Sequence, residues 1–267
     1  MIRKPVVSGQ FYPAEKQSLL KSVNSFLDPA AEKVRALGAM VPHAGYACSG
    51  PVAGAVYSRL RITELVILLG PGHTGLGPAF SVMTEGVWQM PLGDVKISER
   101  AGDLRRKSSL LESDSSAHLS EHSLEVQLPF LQVCAKHDFE FIPIIIGSLQ
   151  PGELIQLGRE IAGFIRGLEQ EVLILASSDM SHYEPDKTAR KKDEYALAAV
   201  LDLNPEELLR RVAEKNITMC GAAPAAAMLS AARELGAKKA ELVKYNTSGD
   251  TCGGYDSVVG YAGVIIV

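Results

Sequence analysis

Six continuous apolar runs constrain the fold of this chain more than any other feature. They occupy residues 37–41, 65–70, 139–147, 171–177, 241–245 and 259–267. The runs do not alternate between polar and apolar residues, and none is long enough to cross a membrane. A continuous short run is typical of a strand that is covered on both faces. We therefore predict a sheet with helices packed against both of its sides.

Helical patterns lie between the apolar runs. They cover residues 14–27, 120–136, 152–167, 188–201, 205–215 and 221–236. Strands that alternate with helices predict an α/β protein with a largely parallel or mixed central sheet. No internal repeat or flexible linker interrupts the pattern, so we predict a single domain over residues 1–267. The stretch VWQMPLGDVKIS is expected to add a hairpin.

Composition excludes several classes of protein. Hydrophobic residues make up 46% and charged residues 22%, and the net charge is −4, as in ordinary globular proteins. Because the one short basic block is residues 190–194, nucleic acid is not an expected partner. The sequence contains neither a membrane-spanning run nor an export signal, so we expect a cytoplasmic protein without membrane contacts. The four cysteines form no CxxC pair and are expected to be reduced thiols.

Polar residues suited to chemistry follow four of the predicted strands. In chain order they are His43, His73, Asp179 with His182, and Asp250 with Cys252. The carboxyl ends of strands in an open α/β sheet meet at one crevice, which is where such folds bind ligands. We therefore predict a shared polar site that includes His43, His73 and His182.

The residue types at this crevice favour a metal centre. Two histidines with one anionic ligand are the arrangement found in non-haem Fe(II) sites. The third ligand could be Asp179, Asp250 or Cys252, and a thiolate would favour Cu(I) or Zn while still allowing iron. Fe(II) or Cu is the expected cofactor, with Zn as a further option.

A second motif offers a competing hypothesis. Residues 118–122 read HLSEH and fit the inverted zinc-protease pattern H-x-x-E-H. In a zinc hydrolase His118 and His122 would bind the metal and Glu121 would activate water. This pattern requires both histidines on one helix, whereas Ser120 is predicted to cap a helix that starts after His118.

Four longer motifs stand out in the sequence: VPHAGY (41–46), GPGHTG (70–75), EHSLEVQLPFL (121–131) and SSDMSHY (177–183). Together they resemble the motifs of the Memo family, whose bacterial and archaeal members belong to the AmmeMemoRadiSam group. The opening RKPVVSGQFYP and the closing YDSVVGYAG are also similar, so the resemblance covers nearly the whole chain. It implies a fold similar to that of class III extradiol dioxygenases, which use non-haem iron.

The resemblance also implies roles for individual residues. The metal, iron or copper, would be bound by His43, His73 and Cys252. His182 would take the general-base position with Asp179 beside it. The pocket would be bordered by Tyr46, Cys48, Glu121 and His122. Cys48 stands where the family pattern has a tyrosine. The loop around Cys252 differs in length from the family pattern, which leaves Asp250 as an alternative ligand.

Two main functions are consistent with these observations. The first is a metal-dependent redox enzyme, of oxygenase or O₂-reducing type, with His182 as its base. The second is a non-catalytic scaffold that binds a peptide or a small anionic ligand in the same pocket.

Overall fold

The computed structural model describes residues 1–267 and contains nine α-helices and twelve strands. The helices are α1 (Lys16–Phe26), α2 (Tyr46–Arg59), α3 (Arg100–Lys107), α4 (Ser116–Leu119), α5 (Leu128–Cys134), α6 (Pro151–Arg166), α7 (Asp186–Leu201), α8 (Pro205–Glu214) and α9 (Ala222–Glu234). The strands are β1 (Ile2–Arg3), β2 (Gly38–Val41), β3 (Leu65–Pro71), β4 (Phe80–Val82), β5 (Val87–Trp88), β6 (Val95–Lys96), β7 (Glu112–Ser113), β8 (Glu140–Ile146), β9 (Val172–Ser177), β10 (His182–Glu184), β11 (Ala240–Thr247) and β12 (Val258–Ile266).

Nine strands form one mixed sheet in the order β10-β12-β2-β9-β3-β8-β4-β7, with β11 also paired to β12. Strands β2, β9, β3 and β8 are mutually parallel, and they come from four of the six continuous apolar runs. Strands β10 and β11 pair antiparallel with β12, which in turn runs antiparallel to β2. The short strands β1, β5 and β6 form a separate sheet.

Helices cover both faces of the large sheet. On one face α2 packs against β11 and β12 and is joined by α1 and α5. On the other face α9 packs against β9, β3 and β2 and is backed by α6 and α8. The alanine-rich helix α9 is buried from Ala222 to Ala232, and its Ser230 hydroxyl donates to the Ile155 carbonyl of α6. Small side chains therefore allow α9 to lie close to both the sheet and α6.

The predicted α/β class and mixed central sheet are confirmed, and all six apolar runs contain strands of the large sheet. The expected hairpin is present, because β5 and β6 pair antiparallel. One helical prediction was wrong, and three helices were missed. Helices α2, α3 and α4 were not predicted, and the helix expected over 120–136 is a 3-10 turn at Glu125–Gln127 followed by α5. Pro129 lies in the first turn of α5 instead of kinking a longer helix. No helix is both long and apolar enough to cross a bilayer.

The order of the central strands determines where polar side chains meet. Strands β2, β9 and β3 are neighbours and run in the same direction, so their carboxyl ends lie side by side. His43, Asp179 and His73 each come two residues after the last residue of one of these strands. These three residues therefore lie at the same edge of the sheet.

Candidate metal centre

Three histidines converge at this edge of the sheet. His43 follows β2, His73 follows β3, and His122 lies in the turn before the 3-10 helix. Their ring centroids are 5.3 Å apart for His43 and His73, 5.6 Å for His43 and His122, and 4.8 Å for His73 and His122. One nitrogen from each ring can be chosen so that all three lie within 4.8 Å of one another. This spacing suits three ligands of one metal ion.

The carboxylate of Glu121 lies beneath the cluster, fully buried, and fixes two of the histidines. Its oxygens accept hydrogen bonds from the His73 backbone N–H at 2.6 Å and from Nδ1 of the His73 ring at 2.8 Å. They also accept from the backbone N–H groups of His122 and Ser123, both at 2.9 Å. A histidine whose Nδ1–H donates to a carboxylate presents Nε2 to a metal, as is usual in metalloproteins. His73 is therefore held with Nε2 as its free nitrogen.

Burial and hydrogen bonding have opposite effects on the pKa values of Glu121 and His73. Burial alone would raise the pKa of Glu121, but the hydrogen bond and charge of His73 and the N–H of Ser123 outweigh it and lower the pKa to about 2. The hydrogen bond to Glu121 raises the pKa of His73. Burial lowers the pKa of His43 and of His122, and the neighbouring imidazoles add to this effect for both. His43 and His122 are therefore neutral near pH 7, as metal ligands must be.

A chain of hydrogen bonds sets the tautomer of His43. Its Nδ1 lies 2.9 Å from the hydroxyl of Ser177, which donates its own proton to the Ser123 carbonyl at 2.7 Å. The Ser177 oxygen also accepts from Nε2 of Gln127 at 2.8 Å. Because its one proton is already used, Ser177 can only accept from His43. Nδ1 of His43 therefore carries the proton, and Nε2 carries the lone pair.

The thiol of Cys220 faces this lone pair. Its Sγ lies 3.3 Å from Nε2 of His43 and 3.7 Å from the carbonyl oxygen of Asp179. Cys220 directly precedes Gly221, where a Cβ would come within 2.6 Å of the Ser177 carbonyl and the Ser178 side chain. Only glycine allows this approach to the end of β9. Burial raises the pKa of the Cys220 thiol, so it is a neutral thiol until a cation displaces its proton.

The segment that carries Glu121 and His122 is anchored from the opposite side by Arg3. The guanidinium is buried against the ring of Trp88 and donates to the carbonyls of His118 and Glu121, at 2.7 and 2.5 Å. It also pairs with the buried carboxylate of Glu125 at 2.7 Å. A buried charge of this kind requires its partners to be in place, which makes the position of the Glu121 turn well defined.

The histidines open into a cleft of about 500 Å³. Phe11 and Tyr183 line its mouth, and the Phe11 ring stands edge-on to His122 at 5.0 Å. Tyr183 is 81% exposed and has a positive φ of 59°, a strained conformation for a tyrosine that is often found at functional sites. No lysine or arginine lines the cleft. Its polar side chains are therefore four imidazoles, the thiol of Cys220, the carboxyl group of Asp179 and the hydroxyls of Thr218 and Tyr183.

Comparison with known proteins identifies the family. The model of the Memo-like protein family matches residues 3–265. The chain belongs to the Memo-like family. A MEMO1 family protein from Methanococcoides burtonii is 43% identical over 99% of this chain and 100% of its own length. A second, from Aquifex aeolicus, is also 43% identical, over 100% of this chain and 99% of its own length.

Among solved structures, an uncharacterized protein from Escherichia coli K12 shares the fold of this Memo-like chain. It has a TM-score of 0.57 and 14% sequence identity, and the match covers 85% of this chain and 99% of that one. At this low identity the likeness extends to the fold alone. The roles of residues must therefore be judged from the site itself.

One ligand expected in this Memo-like chain is not at the cluster. Cys252 is bonded to Cys48 in a disulfide that links residues 204 positions apart. Neither cysteine lines the cleft, and a sulfur held in a disulfide is not a thiolate ligand. The expectation of reduced thiols was wrong for Cys48 and Cys252, whereas Cys134 and Cys220 are free thiols. Asp250, the alternative ligand, forms an ion pair with Arg190 at 2.7 Å.

His182 and Asp179 both line the cleft, but they do not form a pair. Nδ1 of His182 lies 2.8 Å from the Thr218 carbonyl, so Nδ1 donates and Nε2 is left as the basic nitrogen. An oxygen of Asp179 accepts from the His43 backbone N–H at 2.8 Å. Burial raises the pKa of Asp179. Asp179 thus holds the His43 backbone and does not orient the His182 ring through a hydrogen bond.

Two other residues lie away from the cleft. Tyr46 was expected at the pocket, but it is buried in the core, where its hydroxyl donates to the Val126 carbonyl at 2.7 Å. His118 is also fully buried, and its Nε2 lies 3.0 Å from the Ser81 hydroxyl. His122 is outside any helix, so HLSEH does not form the helical zinc motif. His118 is therefore not part of the cluster formed by His43, His73 and His122.

Sequence reasoning missed Cys220 and gave His122 too small a role. Cys220 follows no strand, because it lies in the irregular segment between α8 and α9, and the strand-end rule therefore does not select it. The available signal was TMCGAAP, a cysteine before a glycine at the start of a small-residue helix. His122 was identified through its motif, but its contact with His43 depends on the turn at Glu121.

Proposed function

We propose that this Memo-like protein binds one transition-metal ion at the histidine cluster and performs redox chemistry, of oxygenase or O₂-reducing type, on a small molecule in the cleft. The observation that carries the proposal is the convergence of His43, His73 and His122, with ligand atoms within 4.8 Å. Hydrogen bonds from Nδ1 leave Nε2 available on His43 and His73. Such preset tautomers are a feature of metal sites.

The donor set fits iron or copper. His43 and His73 would bind the ion together with His122, and Cys220 is placed to add a thiolate beside His43. Imidazoles suit Fe, Cu and Zn, and a thiolate increases the preference for softer ions. When bound, iron or copper would supply one-electron chemistry, whereas zinc would supply only Lewis acidity.

The remaining residues of the cleft would handle the substrate and its proton. His182 presents Nε2 as a base, because its Nδ1–H is donated to the Thr218 carbonyl. Asp179 holds the loop that carries His43. Phe11 and Tyr183 offer apolar ring surface at the mouth, which would exclude water from one side of a bound molecule.

The two other hypotheses have less support. A scaffold for an anionic peptide would need lysine or arginine side chains to bind its charge, and none lines the cleft. A zinc hydrolase through His118 would need that ring beside His122, but it is buried against Ser81. Both observations leave the redox metalloprotein as the function that we propose.

The test is anaerobic titration of metal-free protein, purified without a polyhistidine tag, with Fe(II), Cu(I) and Zn(II). We expect one equivalent of iron or copper to bind. His43→Ala should weaken binding by more than about 100-fold, whereas the matched control His137→Ala should have no effect, because His137 is exposed and bonds only to backbone. Binding of zinc alone, or equal losses in both variants, would refute the proposal.

The role of Cys220 can be separated from that of Cys252 by spectroscopy. A metal bound to a thiolate shows a sulfur-to-metal charge-transfer band with Cu(II) or Fe(III). We expect Cys220→Ser to remove this band and Cys252→Ser to retain it. A band that depends on Cys252 would contradict the ligand set proposed from the structure.

A further inference from the structure

The disulfide between Cys48 and Cys252 connects two walls of the cleft. Cys48 lies in the first turn of α2, and its backbone N–H donates to Gly45, which lines the cleft. Cys252 lies in the loop between β11 and β12, which leads to Val259 on the opposite wall. Val259 is paired with His182. The disulfide therefore connects the cleft wall that follows β2 to the opposite cleft wall, which contains His182, the proposed base.

Besides the disulfide, the loop that contains Cys252 is anchored to α7 and to the start of β12, where the Ser248 hydroxyl accepts from the Val259 N–H at 3.0 Å. Asp250 pairs with Arg190 of α7, and the Tyr255 carbonyl accepts from the Asp186 N–H at the start of α7. Within the loop, the Ser248 carbonyl accepts the N–H groups of residues 251–253. No hydrogen bond or ion pair of the structure joins residues 248–257 to α2. The disulfide is therefore the one strong connection between the loop and α2.

Residues 252–257 of this loop are all exposed. A segment with so little buried surface depends on its few fixed contacts for order. Cys252 is one of these exposed residues, so one end of the disulfide lies at the protein surface. By contrast, structural disulfides are typical of small secreted domains that cannot build a sufficient hydrophobic core, and this chain has a core of 71 buried residues.

We infer that Cys48 and Cys252 form a reversible redox site that clamps the mouth of the cleft. In the oxidised form the loop is fixed against α2. In the reduced form residues 251–257 move away from α2 and the cleft becomes more accessible. The inference does not depend on a bound metal, because both sulfurs lie outside the histidine cluster.

The proposed step balances as a thiol–disulfide exchange. A thiolate of a dithiol reductant attacks Sγ of Cys252 and forms a mixed disulfide, and Cys48 leaves as a thiolate and takes up a proton. The second thiol of the reductant then attacks the mixed bond and releases Cys252, which is also protonated. Two electrons and two protons pass from the dithiol to the protein, and the dithiol becomes a cyclic disulfide.

The first experiment tests whether the bond is present and accessible. Metal-free protein is digested without reductant and analysed by mass spectrometry, which should find the Cys48 peptide joined to the Cys252 peptide. Dithiothreitol should reduce this bond in folded protein, as judged by unchanged far-ultraviolet circular dichroism. Absence of the linked peptide, or reduction only after unfolding, would overturn the inference.

The second experiment measures access to the cleft through Cys220, which lines it. Alkylation by iodoacetamide is followed separately for Cys220 and for Cys134, an internal control on α5, in metal-free oxidised protein and in Cys48→Ser/Cys252→Ser. We expect Cys220 to react at least about 5-fold faster in the double variant and Cys134 to be unchanged. Wild-type protein reduced by dithiothreitol should match the variant. Equal Cys220 rates in all three proteins would refute the clamp.

Discussion

Two clefts of nearly equal volume lie at opposite ends of the sheet, and they differ in how their polar groups are satisfied. The carboxyl-end cleft, of about 500 Å³, contains the histidine cluster. The amino-end cleft, of about 490 Å³, is lined by charged residues at the start of β3 and β8. There Lys96 reaches Glu140 at 2.9 Å, and both side chains are exposed to solvent. Volume alone therefore does not distinguish a functional site.

The two ends differ in whether their polar groups are buried and in what those groups are hydrogen-bonded to. At the amino end, exposed charges neutralise each other and gain little from doing so. At the carboxyl end, buried Glu121 and Ser177 occupy one nitrogen of His73 and of His43, so the other nitrogen is left toward the cleft. A buried group that holds an imidazole by one ring nitrogen and leaves the other nitrogen unpaired indicates a binding site. The comparison can be tested by equivalent changes at both ends.

The largest difference should come from removing one carboxylate at each end. Glu121→Ala leaves three backbone N–H groups and the His73 ring without their acceptor. We expect it to lower the free energy of unfolding by about 3–5 kcal/mol. Glu140→Ala removes a solvent-exposed pair and should cost at most about 1 kcal/mol.

Urea unfolding of the metal-free proteins measures both changes. Metal-free protein is required because a bound ion would add its own stabilisation. Similar losses in the two variants would mean that the two ends are energetically alike, and the distinction drawn from their hydrogen bonds would fail.

The disulfide at the carboxyl end has no counterpart near the amino-end cleft. It closes a separation of 204 residues, for which the chain-entropy model gives a stabilisation of about 5 kcal/mol as an upper value. We expect Cys48→Ser/Cys252→Ser to lower the free energy of unfolding by about 2–5 kcal/mol. Urea unfolding with and without reductant measures this, and reductant should have no effect on the variant. A variant as stable as the oxidised protein would contradict the expectation.

The dependence of stability on acid should also originate at the carboxyl end. Glu121 has a pKa of about 2 in the folded protein and 4.5 ordinarily. A lowered carboxyl pKa gives stability that is present above pH about 4.5 and is lost as the pH falls through about 2. The difference corresponds to about 3 kcal/mol.

Urea unfolding between pH 5 and pH 2 measures this loss. Glu121→Gln cannot titrate and should lose less stability over the same interval, whereas Glu140→Gln should follow the wild type. A wild-type curve parallel to that of Glu121→Gln would assign the acid sensitivity to other groups.

Sequence reasoning predicted the sheet well because continuous apolar runs report burial directly, and it located His43 and His73 because strand ends can be read from those runs. Helix α2 was missed because Gly50, Pro51 and Gly54 disfavour helices. Phe26 of α1 packs directly against Gly50 and Gly54, where a Cβ would come within 2.6 Å of it. Tertiary packing against α1 thus overrides the low helix propensity of these residues in α2.

The errors at the site have a similar physical origin. Cys252 was one of three candidates that follow a strand, and the resemblance to the Memo family selected it, but its loop extends to Cys48 instead of the cleft. The position of Cys220 depends on how the start of α9 packs against β9. That contact joins residues more than 40 positions apart and leaves no local pattern in the sequence.

The smallest expected effect comes from the hydroxyl that sets the tautomer of His43. Ser177→Ala removes the acceptor of the His43 Nδ1–H, and this should weaken metal binding by about 10-fold. Ser178→Ala is the matched control, because its hydroxyl donates to the Asp179 carbonyl and does not touch an imidazole. Anaerobic competition with a chelator gives the affinities, and nitrogen NMR of the metal-free proteins gives the tautomer. If both variants lose affinity equally while His43 keeps its proton on Nδ1, then the hydrogen-bond chain does not prepare the ligand, and the carboxyl end differs from the amino end only in which residues it contains.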